Sequence, residues 1–250
     1  MKPFLLSVVI PSYNEMANLR KGTLDRVEHF LSRKKYNYEV IIVDDGSDDG
    51  SREFVSAFAK ENKKFRVITG THTGKAGAVT AGVLVARGDY ILFMDMDQAT
   101  PIEEVEKLLP FKEEFDVVIG SRASKRKGAP FTRQLMAQGM ITLRSILVGF
   151  SEIKDTQCGF KMFSRTSAAA IFKKIKEIHN GFHSIKSSSV TAGFDIELIY
   201  IAKKKEYKIK EVPVDWLYVE TRRVSPIRDS IEGFTNLLKI RSNIFKGIYD

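Results

Sequence analysis

With 250 residues, 43% of them hydrophobic and 28% charged, the chain has material for one large α/β domain and needs neither disulfides nor a structural metal. Its single cysteine, Cys158, excludes an internal disulfide and cannot by itself make a zinc site, which fits a reducing compartment. The net charge of +9 favours an anionic partner, and no apolar stretch approaches the roughly 18 residues that span a bilayer, which excludes an integral membrane protein.

The first apolar run, residues 5–10, is short, carries no small-residue cleavage site and leads into a Pro-Ser-Tyr-Asn turn. It reads as a buried strand rather than a signal peptide. Met16, Leu19, Thr23, Val27 and Phe30 then recur at helical spacing. A second strand is predicted at 40–43, with a helix through Phe54, Val55, Phe58 and Ala59 after it. Further strands are predicted at 66–69, 90–94 and 117–120. All are apolar on both faces, as in a parallel sheet covered by helices on each side. This alternation predicts a doubly wound, Rossmann-like, mostly parallel sheet whose ligands sit beyond the carboxyl ends of the strands. The second half is less regular. Helices are predicted at 132–148, 167–178 and 196–204, strands at 159–163 and 209–214, a polar Ser-rich loop at 180–191, and a final helix from 225 to 248. With no repeat or linker, residues 1–224 read as one domain and 225–250 as an amphipathic C-terminal helix. The positive excess gathers at 122–176 and again after 203.

The polar residues that follow the strands are the candidates for chemistry: Pro11, Tyr13, Asn14 and Glu15; Asp44 and Asp45; Asp95 and Asp97; Ser121 and Arg122. In Asp95-Met96-Asp97, two carboxylates at i and i+2 on extended backbone point the same way and can share one hard cation. Such a pair after an apolar strand suits Mg²⁺ or Mn²⁺ held jointly with a diphosphate. Asp44 and Asp45 can accept from a base N–H or a ribose hydroxyl, whereas Asp48 and Asp49 read as caps of the following helix. No GxGxxG follows the first strand, which argues against a dinucleotide oxidoreductase, and 70–78 lacks the Ser or Thr of a Walker loop. That stretch still offers Lys75 at a helix start, either facing phosphate oxygens or forming a plain helix cap. His179 and His183 read as no metal site, because Asn-Gly separates them. Cys158 reads as a packing residue, and Trp216 with Tyr218 as core more than as a sugar platform.

The segments VVIPSYNE, VDDGSDDGS, GKAGAV, FMDMDQATP, GSR and DTQCGFKMF together resemble family-2 glycosyltransferases of the GT-A fold. The likeness runs along nearly the whole chain and points to the dolichyl-phosphate mannose and glucose synthases and their bacterial polyprenyl-phosphate relatives. The resemblance implies that Pro11, Tyr13, Glu15 and Asp44 line a nucleoside pocket, and that Asp95 and Asp97 hold metal and diphosphate. It implies that Arg122 and Arg133 face an acceptor phosphate, with Arg222 or Arg223 approaching from the other side, and that Asp195 lies near sugar and acceptor. Two departures stand out. The metal motif continues Gln98-Ala99-Thr100, nearer the glucose-synthase pattern and leaving the role of Gln98 open. No stretch of these 250 residues reads as the N-terminal anchor or the C-terminal spans of some relatives.

The expected reaction is inverting hexosyl transfer from a UDP- or GDP-sugar to a polyprenyl phosphate, which needs charge steering more than a general base. A hydroxyl acceptor would instead need Asp195 as base. Two rivals are weaker. A sugar-phosphate nucleotidyltransferase would carry a basic Gly-rich stretch after the first strand, and a nucleic-acid-binding protein would show aromatic-basic interleaving, so no nucleic acid is expected. The terminal helix, with Ile227, Ile231, Phe234, Leu238, Phe245 and Ile248 in one stripe, is expected at an anionic, cytoplasmic membrane face or packed on its own domain or a sister subunit.

Overall fold

The computed structural model describes residues 3–122, 131–149, 151–182, 193–217 and 226–250. Its strands are β1 (Leu5–Ser12), β2 (Asn37–Asp44), β3 (Phe65–Thr69), β4 (Tyr90–Met94), β5 (Val117–Ser121), β6 (Phe160–Ser164) and β7 (Ile209–Pro213). They form one sheet in the order β3-β2-β1-β4-β6-β5-β7. The helices are α1 (Met16–Leu19), α2 (Thr23–Ser32), α3 (Ser51–Glu61), α4 (Gly74–Val85), α5 (Val105–Leu108), α6 (Phe131–Val148), α7 (Arg165–Ile178), α8 (Phe194–Lys204) and α9 (Pro226–Phe245).

Period-two alternation sends successive strand residues to opposite faces, and both faces are apolar. Val9, Ile41, Val43, Phe93 and Ile119 pack under α4, α7 and α8, while Leu6, Val8, Ile10, Val40, Ile42 and Leu92 pack under α2, α3 and α5. The expected doubly wound sheet is therefore present. One strand departs from parallel: β6 runs antiparallel to both β4 and β5. It starts at the carboxyl end of β4, where Phe160 pairs with Met94, so the preceding loop lies against the end of the metal motif's strand. The chain steps from β1 outward to β3, then crosses back to β4 on the other side of β1. That reversal opens a crevice beyond Ser12 and Met94, the position at which doubly wound sheets take ligands.

The single amphipathic stretch predicted from Met16 is broken into α1 and α2. The first ends at Leu19, and Gly22 caps the start of α2 with a left-handed φ of 76°, which glycine adopts without steric penalty. Of the predicted loop at 180–191, residues 183–191, His183 among them, lie outside the described residues, as do Tyr218, Arg222 and Arg223. Among the described residues, no helix is long and apolar enough to cross a membrane. The last helix, α9, packs against α6 and buries Leu237 and Ile240.

Candidate active site

At the end of β2, Asp44 is fully buried; its Oδ2 accepts from Arg52 Nε at 2.7 Å and Gly46 N at 3.3 Å. Its Oδ1 has no hydrogen-bond partner among the described residues, an unmade bond that a ligand N–H or hydroxyl would satisfy. Asp45 is differently occupied. It accepts from Thr73 N, Thr73 Oγ1 and Gly74 N at 2.7–2.9 Å, and His72 Nδ1 lies 2.8 Å from its Oδ2. Its carboxylate thus organises the turn that starts α4 and presents Lys75. His72 in turn stacks on Tyr13, with ring centroids 3.9 Å apart. Pro11 lies within β1 opposite Val43. Glu15 Oε2 accepts from Asn18 Nδ2 at 2.5 Å, and the Glu15 N–H donates to Ser51 Oγ.

The carboxyl end of β4 carries Asp95 and Asp97. Lys75 Nζ sits 2.6 Å from Asp95 Oδ1. Burial would push the Lys75 ammonium down, but Asp95, Asp195 and Asp97 more than offset this and hold its pKa above the ordinary lysine value. Burial, aided by the charge of Asp95, pushes the Asp97 carboxyl up, against the Ala99 N–H and Lys75. Gly159, at the start of β6, lies against Asp95: a Cβ there would fall 2.6 Å from Asp95 Cγ. Asp195, in the first turn of α8, accepts from Lys161 Nζ at 2.5 Å. Two neighbouring carboxylates are a hard-oxygen donor set for Mg²⁺ or Mn²⁺, which commonly take one or two carboxylates with the rest from phosphate and water. The ammonium already drawn onto Asp95 marks the spot as one that attracts a cation, so the residues present fit the expected metal.

Arg122 is held in a bidentate pair with Asp155: Nε to Oδ2 at 2.7 Å and Nη2 to Oδ1 at 2.8 Å, with the Arg122 N–H also on Oδ2. Burial lowers its pKa, but Asp155 raises it further, so the guanidinium stays charged. Half-exposed Trp216 lies with its ring centre 6.0 Å from Arg122 Cζ, and Leu217 N donates to Ala99 O. This segment therefore borders the crevice rather than lying in the core. Arg133 lies in α6, and its side chain is outside the described residues. Gln98, whose role the sequence left open, donates from Nε2 to Thr23 O at 2.5 Å and so ties the motif to α2. Cys158 is buried with its Sγ 3.8 Å from Thr100 Oγ1, a packing position.

The structure brings Tyr13, Asp44, Lys75, Asp95, Asp97 and Asp195 to the same end of the sheet. It adds three residues that sequence reasoning passed over: Lys161, Gly159 and His72. Lys161 had a legible signal, a charge inside the apolar strand FKMF; His72, flanked by threonines, had none.

The model of glycosyl transferase family 2 matches residues 7–172, from β1 through most of α7. A dolichyl-phosphate beta-glucosyltransferase of Saccharomyces cerevisiae is 35% identical over 269 residues, covering 98% of this chain and 76% of that protein. Its counterpart in Dictyostelium discoideum is 32% identical over 266 residues, with the same coverage. The glucosyl-3-phosphoglycerate synthase of Mycobacterium tuberculosis, solved with Mn²⁺, UDP and glucosyl-3-phosphoglycerate, superposes with a TM-score of 0.60 at 20% identity, over 94% of this chain and 79% of that one. That likeness speaks for the GT-A fold alone. The matched segment contains β1, the Asp95-Met96-Asp97 strand end and the loop before β6, and on these grounds the chain belongs to glycosyl transferase family 2.

Proposed function

We propose that this protein transfers glucose from a nucleotide sugar, a UDP- or GDP-glucose, to a polyprenyl phosphate of the dolichyl type. The observation that carries the reading is the cluster at the reversal of the sheet, where Asp95 and Asp97 stand beside a half-buried, charged Lys75 at the start of α4. The names of the relatives supply the sugar and the lipid phosphate, and the ligands of the Mycobacterium tuberculosis enzyme support a divalent metal.

In this mechanism Tyr13 and the unpartnered Asp44 oxygen receive the nucleoside. Lys75 and the amide-rich start of α4 face the diphosphate. Asp95 and Asp97 would hold Mg²⁺ or Mn²⁺, which when bound would supply positive charge to the nucleoside diphosphate as leaving group. Arg122, fixed by Asp155, contributes positive charge on the acceptor side, together with Arg133 and with Arg222 or Arg223. A phosphate acceptor is already anionic and needs no proton removed before it attacks. A hydroxyl acceptor would need a carboxylate with an oxygen to spare. The names of the relatives favour the phosphate.

For a lipid acceptor we place the outer face of α9 against an anionic membrane, on the cytoplasmic side, a compartment that a lone unpaired cysteine fits. The deciding assay incubates the protein with UDP- and GDP-sugars, Mg²⁺ or Mn²⁺, and either a short polyprenyl phosphate or the matching polyprenol. Glycolipid is expected from the phosphate and not from the alcohol. EDTA or Asp97→Asn should lower the rate by about a hundredfold or more. Transfer to the alcohol, or full activity in EDTA, would overturn the reading.

A further inference from the structure

Lys161 lies mid-strand in β6, paired with Phe93 of β4 on one side and Ile119 of β5 on the other. Its side chain has no exposed surface. The ammonium donates to Cys158 O at 2.6 Å and to Asp195 Oδ1 at 2.5 Å, and it rests 5.2 Å from the Phe93 ring centre. A lysine of this kind is expensive to bury, and a buried ion pair is often replaced by well-packed apolar residues without loss of stability. Stability therefore does not explain the pair, but its location does. Asp195, at the start of α8, and Lys75, at the start of α4 and paired with Asp95 at 2.6 Å, stand at the same end of the sheet as the metal motif. Charges thus alternate from the centre of the sheet to the metal motif, in the order Lys161, Asp195, Lys75, Asp95. The first and last members stand on adjacent strands, and the middle two open α8 and α4.

We propose that Lys161 is a positioning residue: it anchors the Asp195 carboxylate to the sheet so that Asp195 and Lys75 hold the sugar-diphosphate end of the donor in register for transfer. Lys161 touches no substrate in this role and acts through Asp195. The assignment deepens the proposed function and rests on it.

The test compares wild type, Lys161→Met, Asp195→Asn and the double variant. Wild-type turnover with the donor and acceptor panel is measured first, so that a wrong acceptor shows in the wild type and a wrong role for Lys161 only in the variants. Lys161→Met is expected to lower kcat at least about tenfold with KM for the nucleotide sugar within about threefold. The double variant should be no slower than the worse single variant, because the two residues act as a unit. Thermal unfolding, which needs no substrate, should show Asp195→Asn destabilised by its stranded ammonium and the double variant recovering part of that loss. Wild-type kcat in Lys161→Met, or losses that multiply in the double variant, would overturn the proposal. If Lys161→Met does not fold, the comparison of Asp195→Asn with the double variant decides alone: equal kcat upholds the proposal and a further loss overturns it. A double variant that fails to fold while Asp195→Asn folds would make Lys161 a core residue and overturn it too.

Discussion

A methyl group on Gly159 would press into the Asp95 carboxylate, so glycine at the start of β6 is what lets the antiparallel strand close against the metal motif. Gly159→Ala is therefore expected to move Asp95 rather than unfold the protein, because Gly159 has no left-handed φ to relieve. We expect turnover to fall about tenfold or more and Mn²⁺ affinity to weaken, with a small change in Tm. Activity and Mn²⁺ titration at the wild-type level would show that Asp95 tolerates displacement. At this scale the acidic pair was legible in the sequence but its backbone was not: residues 95–98 form a turn after β4, with Gln98 N donating to Asp95 O, instead of the extended backbone expected from the i, i+2 spacing. The partner of Asp45 was not legible either. A carboxylate after a strand reads equally as a ligand contact or as a cap, and only the fold of 72–74 shows it gathering Thr73, Gly74 and His72.

The elements near the nucleoside side of the crevice are tied together by Asp49. Its Oδ1 accepts from Ser51 N at 2.9 Å, at the start of α3, and its Oδ2 accepts from Met16 N at 3.1 Å, at the start of α1. Slight burial pushes its carboxyl up, but the hydrogen bonds from Ser51 and Met16 outweigh this and hold it below the ordinary value of 3.8. A depressed folded pKa contributes stability that is present above the unfolded value and lost as pH falls through the folded one. Asp49→Ala should thus cost about 1 kcal/mol near neutral pH. Its gap from wild type should narrow below 3.8. Urea unfolding at neutral and acid pH checks both parts; a gap independent of pH would mean that the charge of Asp49 plays no part. The helix at 51–61 was readable from apolar spacing and Asp-Asp-Gly-Ser, but its N-cap is Gly50, and of the two acids expected to cap it Asp49, one residue earlier, accepts from Ser51 N. The break between α1 and α2 was not readable, since the apolar periodicity runs through the turn in which α1 ends at Leu19 and Gly22, with its left-handed φ, caps the start of α2.

Across the whole molecule, α9 divides its apolar residues between two faces. Leu237, Ile240 and Ile244 pack inward, whereas Ile231, Phe234, Leu238 and Phe245 are 60%, 42%, 45% and 75% exposed. The exposed set is four of the six residues in the stripe that the sequence singled out; Ile248 is half-buried, the Ile227 side chain lies outside the described residues, and a different stripe does the packing. Lys239 and Lys246 are exposed beside it. Apolar side chains flanked by cations suit an anionic bilayer surface, to which each cation adds roughly 1 kcal/mol. Replacing Phe234, Leu238 and Phe245 together by serine should abolish co-sedimentation with phosphatidylserine vesicles and leave the fold intact. Neutral vesicles should bind neither protein. If the wild type ignores anionic vesicles and sediments as an oligomer that these changes dissociate, the stripe joins copies of the chain instead.

The sequence by itself determined the α/β class, the strand ends that carry chemistry and the family, because apolar periodicity and short motifs are local properties that need no partner to be read. The tertiary structure decided what depends on residues far apart in the chain. It decided that β6 runs antiparallel beside β4, so that Gly159 meets Asp95, and that Arg122 is clasped by Asp155. It also decided that Lys161, Asp195, Lys75 and Asp95 alternate in charge. These are distances between elements, set by how the sheet is ordered and packed, and charge pairing at 2.5–2.7 Å leaves no trace in sequence spacing.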